Sequence, residues 1–137
     1  MDAILKKRAE KAYLILAAIF LSALVASNLI FQKFFQWAPF GIYTFELSVG
    51  ILPYPVTFIV TDLVSEVYGK KRANQMVLVG FVASLFTLLI VVVADWAPAT
   101  PWSPISDQTF SKVFGFTFVA VGASMTAYLI AQLVDVQ

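Results

Sequence analysis

The stretch Pro53-Tyr54-Pro55-Val56-Thr57-Phe58-Ile59-Val60-Thr61-Asp62-Leu63-Val64-Ser65-Glu66-Val67-Tyr68-Gly69-Lys70-Lys71-Arg72 decides both the fold and the place of the chemistry. An apolar segment opened by two prolines runs into two carboxylates four residues apart, then a glycine, then three consecutive cations. Carboxylates in or at the edge of a membrane span are expensive, so their presence there marks a functional hypothesis. The cations indicate which end of the segment faces the cytoplasm.

Working outward, the chain of 137 residues is 61% hydrophobic and only 12% charged. Soluble proteins run nearer half apolar and about a quarter charged. Four segments account for the excess. Ala12 to Phe31, Leu47 to Thr61, Met76 to Ala94 and Val113 to Val134 contain no charged residue. A span needs roughly 20 mainly apolar residues. The second segment reaches that length only by continuing through Asp62 and Glu66 to Val67. The expectation is an all-α, polytopic transmembrane helix bundle in a single domain over residues 1–137, with spans near 12–31, 47–67, 76–94 and 113–134.

The net charge of +1 matters less than its distribution. Lys6, Lys7, Arg8 and Lys11 precede the first span, and Lys70, Lys71 and Arg72 follow the second. The other two connections hold one cation each, Lys33 and Lys112, with Asp95 and Asp107 in the last. The positive-inside rule therefore makes the amino terminus cytoplasmic and returns the chain to that side near Asp135. A signal peptide is the competing reading of the amino terminus. The apolar run exceeds the usual h-region of roughly 7 to 15 residues, and no small-x-small site ends it.

Cysteine and histidine are both absent, which removes disulfides, thiolate chemistry, Cys/His metal sites and His-based triads. No cofactor, metal, nucleic-acid partner or catalytic residue is expected; the partners expected are the lipid bilayer and a small molecule. Between the first two spans, Phe34 to Glu46 is rich in aromatics and reads as a short hairpin or a re-entrant piece. Gly50, Pro53 and Pro55 imply that the second helix is kinked or starts afresh. A helix broken within the membrane would line a cavity. The outer loop Asp95 to Lys112 carries Pro98, Pro101 and Pro104, which predicts turns and no helix. Gly115, Gly122 and Ala123 are small enough to let a neighbouring helix approach.

Residues four apart share a helix face. Thr61, Asp62, Ser65, Glu66 and Gly69 are expected to form one polar strip, with Phe58, Ile59, Leu63, Val64 and Val67 elsewhere. At about 1.5 Å per residue, Asp62 lies some 7 Å from a cytoplasmic end at Val67. Glu66 is either functional, or a carboxylate that is solvated or paired with Lys70. Ser124, Tyr128, Gln132 and Asp135 form a second strip on the fourth span. Asn28, beside Ser27, contributes at the outer end of the first; it and Gln132 could equally serve as interhelical hydrogen-bond glue. Carboxylates, amides and aromatic rings together suit a planar heterocycle with hydrogen-bond donors. Proton relay by the acids is a second role the residues leave open. A membrane-embedded hydrolase using Asp62 and Glu66 as paired acids is a third.

Three blocks carry a family resemblance: Ser27-Asn28; Thr61-Asp62-Leu63-Val64-Ser65-Glu66-Val67-Tyr68-Gly69-Lys70-Lys71-Arg72-Ala73; and Ala127-Tyr128-Leu129-Ile130-Ala131-Gln132-Leu133-Val134-Asp135-Val136. In order and spacing they resemble the bacterial queuosine-precursor transporters, also called the vitamin uptake transporter family. The resemblance implies import of 7-cyano-7-deazaguanine and related 7-deazaguanines across the bacterial inner membrane, for tRNA modification. It implies Asp62, Glu66 or Asp135 on the base's N–H edge, Asn28 or Gln132 on its carbonyl, and Phe58, Tyr128 or Tyr54 on its face. The alternatives are a transporter of another small heterocycle or vitamin, or an inactive membrane fragment. Family members look six-span, so four spans imply an amino-terminal part holding some of the site, active alone only as a homo-oligomer.

Overall fold

The computed structural model describes residues 2–135, with side chains as far as Ile130 other than those of Tyr128 and Leu129. Asp2 opens the first helix, its carboxylate accepting the Ile4 N–H at 3.5 Å. Helix α1 then runs unbroken over Ala3–Ile30. The basic lead-in is thus helical and continuous with the first span. A two-stranded antiparallel hairpin follows, β1 (Phe34–Trp37) and β2 (Phe45–Ser48), with Trp37 opposite Phe45. Helices α2 (Tyr54–Tyr68), α3 (Lys70–Trp96), α4 (Asp107–Phe114) and α5 (Thr117–Asp135) complete the chain. Among the described residues, Ala3–Ile30, Val49–Tyr68, Lys70–Trp96 and Asp107–Ala127 are long and apolar enough to cross a membrane. The fold is all-α with one small hairpin. Two compact units divide it, residues 1–83 and 84–137, and α3 contributes to both.

In the first unit, the hairpin is tied to the end of α1. The Ser48 hydroxyl donates to the Phe31 carbonyl, and the Val49 N–H donates to the Lys33 carbonyl at 2.7 Å. A 3-10 turn, Val49–Ile51, then leads into α2. The second span is therefore an extended end and a tight turn before it becomes helix at Tyr54. Pro53 occupies the cap and Pro55 the first turn. A first-turn proline removes an amide that has no intrahelical partner anyway. Of the two expectations, a kink or a fresh start, the second holds: the prolines start α2 and free no backbone group within it, so they lend no support to a cavity.

Thr57, Val60 and Val64 form the buried face of α2, and Val64 is fully enclosed. Phe20 of α1 and Ala73 and Met76 of α3 complete that core, with Tyr13, Leu16, Ala17, Leu24 and Tyr68 packed around it. Two glycines permit the approach. A Cβ on Gly80 would lie 2.6 Å from the Phe20 ring, and one on Gly50 would lie 3.0 Å from Phe31 Cβ and 3.1 Å from the Ser27 carbonyl. Ring atoms can swing away, whereas a main-chain carbonyl cannot. Gly50→Ala is accordingly expected to destabilise the unit by about 1–3 kcal/mol, the usual toll of overpacking. Thermal unfolding in detergent checks it; an unchanged midpoint would mean that the turn does not bear on α1.

The second unit corrects one expectation. The outer connection is not all turns, because Asp107–Phe114 is helical. Ser106 accepts the Thr109 N–H at 3.2 Å, and Asp107 and Lys112 sit at the helix ends their charges favour. Asp107 also accepts the Ala99 N–H at 2.9 Å, and the Ser111 hydroxyl donates to Asp95 at 2.6 Å, which ties the proline-rich stretch to α4. Of the fourth apolar segment, Val113 and Phe114 end α4 and the residues from Thr117 form α5; between them the Gly115 N–H closes onto the Ser111 carbonyl at 2.7 Å. Gly115 thus marks a joint. A Cβ on Gly122 would meet nothing within 4 Å, so no close approach depends on it.

Candidate functional site

The two faces of α2 differ in kind. Val60 and Val64 are buried, while Asp62 and Glu66 project into the open from the opposite side, about 180° around the helix. The predicted polar strip is therefore split. The Thr61 hydroxyl lies 2.9 Å from both the Thr57 and Phe58 carbonyls, which absorb its proton within the helix. Ser65 is half-buried, and Gly69 lies beyond the helix end.

Phe58, expected elsewhere, falls one turn from Asp62 on the same side. Tyr54 falls a turn further, its ring 5.3 Å from that of Phe58 at an interplanar angle of 75°. Tyr54, Phe58, Asp62 and Glu66, at successive spacings of four, make one exposed stripe of two rings followed by two carboxylates. Counting back in fours from Asp62 would have found it. Such a stripe offers a stacking surface next to hydrogen-bond acceptors.

The Gly69 end of α2 is latched to α1. The Tyr68 hydroxyl donates to the Ala9 carbonyl at 2.8 Å, and the Tyr13 hydroxyl donates to the Arg72 carbonyl at 3.2 Å. The two tyrosine rings meet edge to face with centroids 5.4 Å apart. Arg72 lies 4.9 Å above the Tyr13 ring and pairs with Glu10 at 2.8 Å. Among the described residues this is the one ion pair, so Glu66 is not neutralised by Lys70.

At the other end, Ser27 is buried and its hydroxyl has no partner; Asn28 Nδ2 is also shielded and unpartnered. A buried donor left unpaired costs about 1–3 kcal/mol, so these two groups are poised for an acceptor. They lie far from the acids in depth. Tyr13 and Tyr68 are level, and from there Asn28 is fifteen residues along α1 while Asp62 is six along antiparallel α2. At 1.5 Å per residue the offset is about 13 Å. Asn28 and Asp62 thus address different depths of the unit and are not brought to one edge of a small ring system.

The side chains of Tyr128, Gln132 and Asp135 lie outside the described residues, and their strip stands on sequence spacing alone. Its remaining member, Ser124, is exposed, and α5 extends as helix to Asp135.

Residues 48–137 match the family model described as "Putative vitamin uptake transporter". The chain is also 33% identical over 91 residues to a Bacillus subtilis (strain 168) protein named "Probable queuosine precursor transporter". That alignment covers 65% of this chain and 38% of the relative, so the chain spans well under half of the relative's length. No solved structure matches it. The acidic stripe, the Gly69 elbow and the helix reaching Asp135 all fall within the matched residues, and the chain belongs to the vitamin uptake transporter family.

Proposed function

We propose that the protein containing this chain imports a queuosine precursor, 7-cyano-7-deazaguanine or a close 7-deazaguanine, across the bacterial inner membrane, with its amino terminus in the cytoplasm. The observation that carries this reading is the α2 stripe, in which the Tyr54 and Phe58 rings precede Asp62 and Glu66 on one open face. A fused heterocycle stacks on one of the two rings and meets the other edge-on, since they stand 75° apart, and its N–H edge donates to the carboxylates of the next turns. Similarity to the B. subtilis relative supports the substrate class. Asn28 and Ser27, about 13 Å away along the helices, serve a different position of the base or the closing of the bundle. Tyr128, Gln132 and Asp135 are carried as further candidate contacts on sequence spacing alone. No covalent step is involved, and the protein is not an enzyme.

Cells unable to make the precursor should recover modified tRNA when the complete protein is expressed and 7-cyano-7-deazaguanine is supplied. Absence of rescue, with the protein correctly inserted, would reject the reading. Competition by purines, pteridines and vitamins separates it from transport of another heterocycle, since only 7-deazaguanines should suppress uptake at low concentration.

A further inference from the structure

The two cationic runs of the first unit are almost sixty residues apart in sequence, yet the latch brings them to one depth. Ala3 to Lys11 extends α1 about 14 Å beyond the start of its charge-free run, so Lys6, Lys7, Arg8 and Lys11 stand outside the hydrocarbon zone. The bonds from Tyr68 to Ala9, from Tyr13 to Arg72 and from Arg72 to Glu10 hold the α2–α3 elbow at the same level. Lys70 and Lys71 open α3 there.

Two of the acids nearby are engaged, while Glu66 stands exposed without a cation partner among the described residues. Glu10 is taken by Arg72, and Asp2 accepts the Ile4 N–H at the helix cap. Lys6, Lys7, Arg8, Lys11, Lys70 and Lys71 are all exposed, and among the described residues none has a carboxylate partner. Six unpaired cations outnumber the two carboxylates at that end without a cation partner, Asp2 and Glu66, and repel one another unless a plane of anions faces them. Exposed apolar side chains flank them on α1: Ile4, Leu5, Leu14 and Ile15 are each more than half exposed. Acyl chains beside an anionic headgroup satisfy both features, whereas a free anion satisfies only the first.

We propose that these residues form a single binding surface for anionic phospholipid headgroups, assembled by the Glu10–Arg72 and tyrosine latch. Basic side chains beside a span attract such lipids within a Debye length of the surface. The surface requires no transport activity, so its test is independent of the proposed substrate.

The full chain is reconstituted in vesicles of equal parts phosphatidylcholine and phosphatidylglycerol, and spin-labelled versions of each lipid report the motionally restricted fraction. The label is read in both leaflets, so a variant inserted in either orientation is still measured. Wild type should restrict phosphatidylglycerol severalfold over phosphatidylcholine. That preference should weaken as salt rises from about 0.1 M to 1 M and the Debye length shortens from about 10 Å to 3 Å. Lys70→Gln with Lys71→Gln should lower it, and so should Lys6→Gln, Lys7→Gln and Lys11→Gln together, because both runs serve one surface. Equal restriction of the two lipids, or a preference untouched by salt, would overturn the proposal. So would a preference that survives both sets of substitutions. Inorganic phosphate, added at matched ionic strength, should leave the preference in place; displacement by it would identify a free-phosphate site and overturn the lipid assignment.

Discussion

Asp62→Asn in the complete protein should reduce uptake by about 10- to 100-fold while membrane insertion stays normal. The carboxylate lies on the open side of α2, away from Val60 and Val64, so its replacement disturbs no core contact. A hydrogen bond to a charged group contributes about 1.5–3 kcal/mol, which corresponds to that range of affinity. Asparagine keeps the shape and one acceptor but removes the charge. Glu66→Gln should act in the same direction and more weakly if Asp62, next to Phe58, holds the nearer edge of the ring. Initial rates of labelled precursor uptake, normalised to inserted protein, decide this. Uptake unimpaired by Asp62→Asn would move that residue to a purely structural role.

Gly69→Ala should destabilise the first unit through the backbone, with no side-chain clash. Gly69 joins α2 to α3 with φ 91° and ψ 159°, a region open in practice to glycine alone. Space is not the obstacle, since a Cβ there would meet nothing within 4 Å. The strain of about 1–3 kcal/mol comes from the backbone itself. Relief requires the elbow to rotate, which pulls Tyr68 from Ala9 and Arg72 from Glu10 and shifts the stripe on α2. Gly122→Ala supplies the contrast. It sits within α5 with open space around it, and there alanine should be neutral or stabilising by up to about 1 kcal/mol. Thermal unfolding in detergent measures both. Equal midpoints for the two variants would show that the elbow conformation is not a constraint.

Charge-free length revealed the helices because hydrocarbon leaves a spanning backbone few other ways to satisfy its polar groups. The aromatic connection was legible as either a hairpin or a re-entrant piece, and the antiparallel pairing of Phe34–Trp37 with Phe45–Ser48 decides for the hairpin. Pro53 and Pro55 left a kink and a fresh start both open, since the same residues break a helix in its interior and begin one at its edge. Position decides, and position depends on the Ser48 and Val49 contacts with α1, which no local pattern contains. Ser106 followed by Asp107 was a readable cap, masked by three prolines just before it. In the candidate site, Asp62 and Glu66 could be picked out as the acids that follow a charge-free apolar run. Which neighbours share their face could not, because Val60 and Val64 turn one side of α2 into core only when Phe20 and Met76 meet them. The unpartnered donors of Ser27 and Asn28 likewise emerge only once the surrounding packing is known.

Substrate protection of a single cysteine bears most directly on whether the stripe is the face that meets the base. The chain has no cysteine of its own, so Phe58→Cys and Leu63→Cys each place one thiol on α2, once any cysteine elsewhere in the complete protein is replaced. Both positions are exposed, and they lie on different sides of the helix. Saturating 7-cyano-7-deazaguanine should slow maleimide labelling at Phe58→Cys severalfold and leave labelling at Leu63→Cys unchanged. Equal protection of both thiols, or protection of neither in a protein that still transports, would contradict the assignment of the Tyr54–Phe58–Asp62–Glu66 stripe as the substrate face.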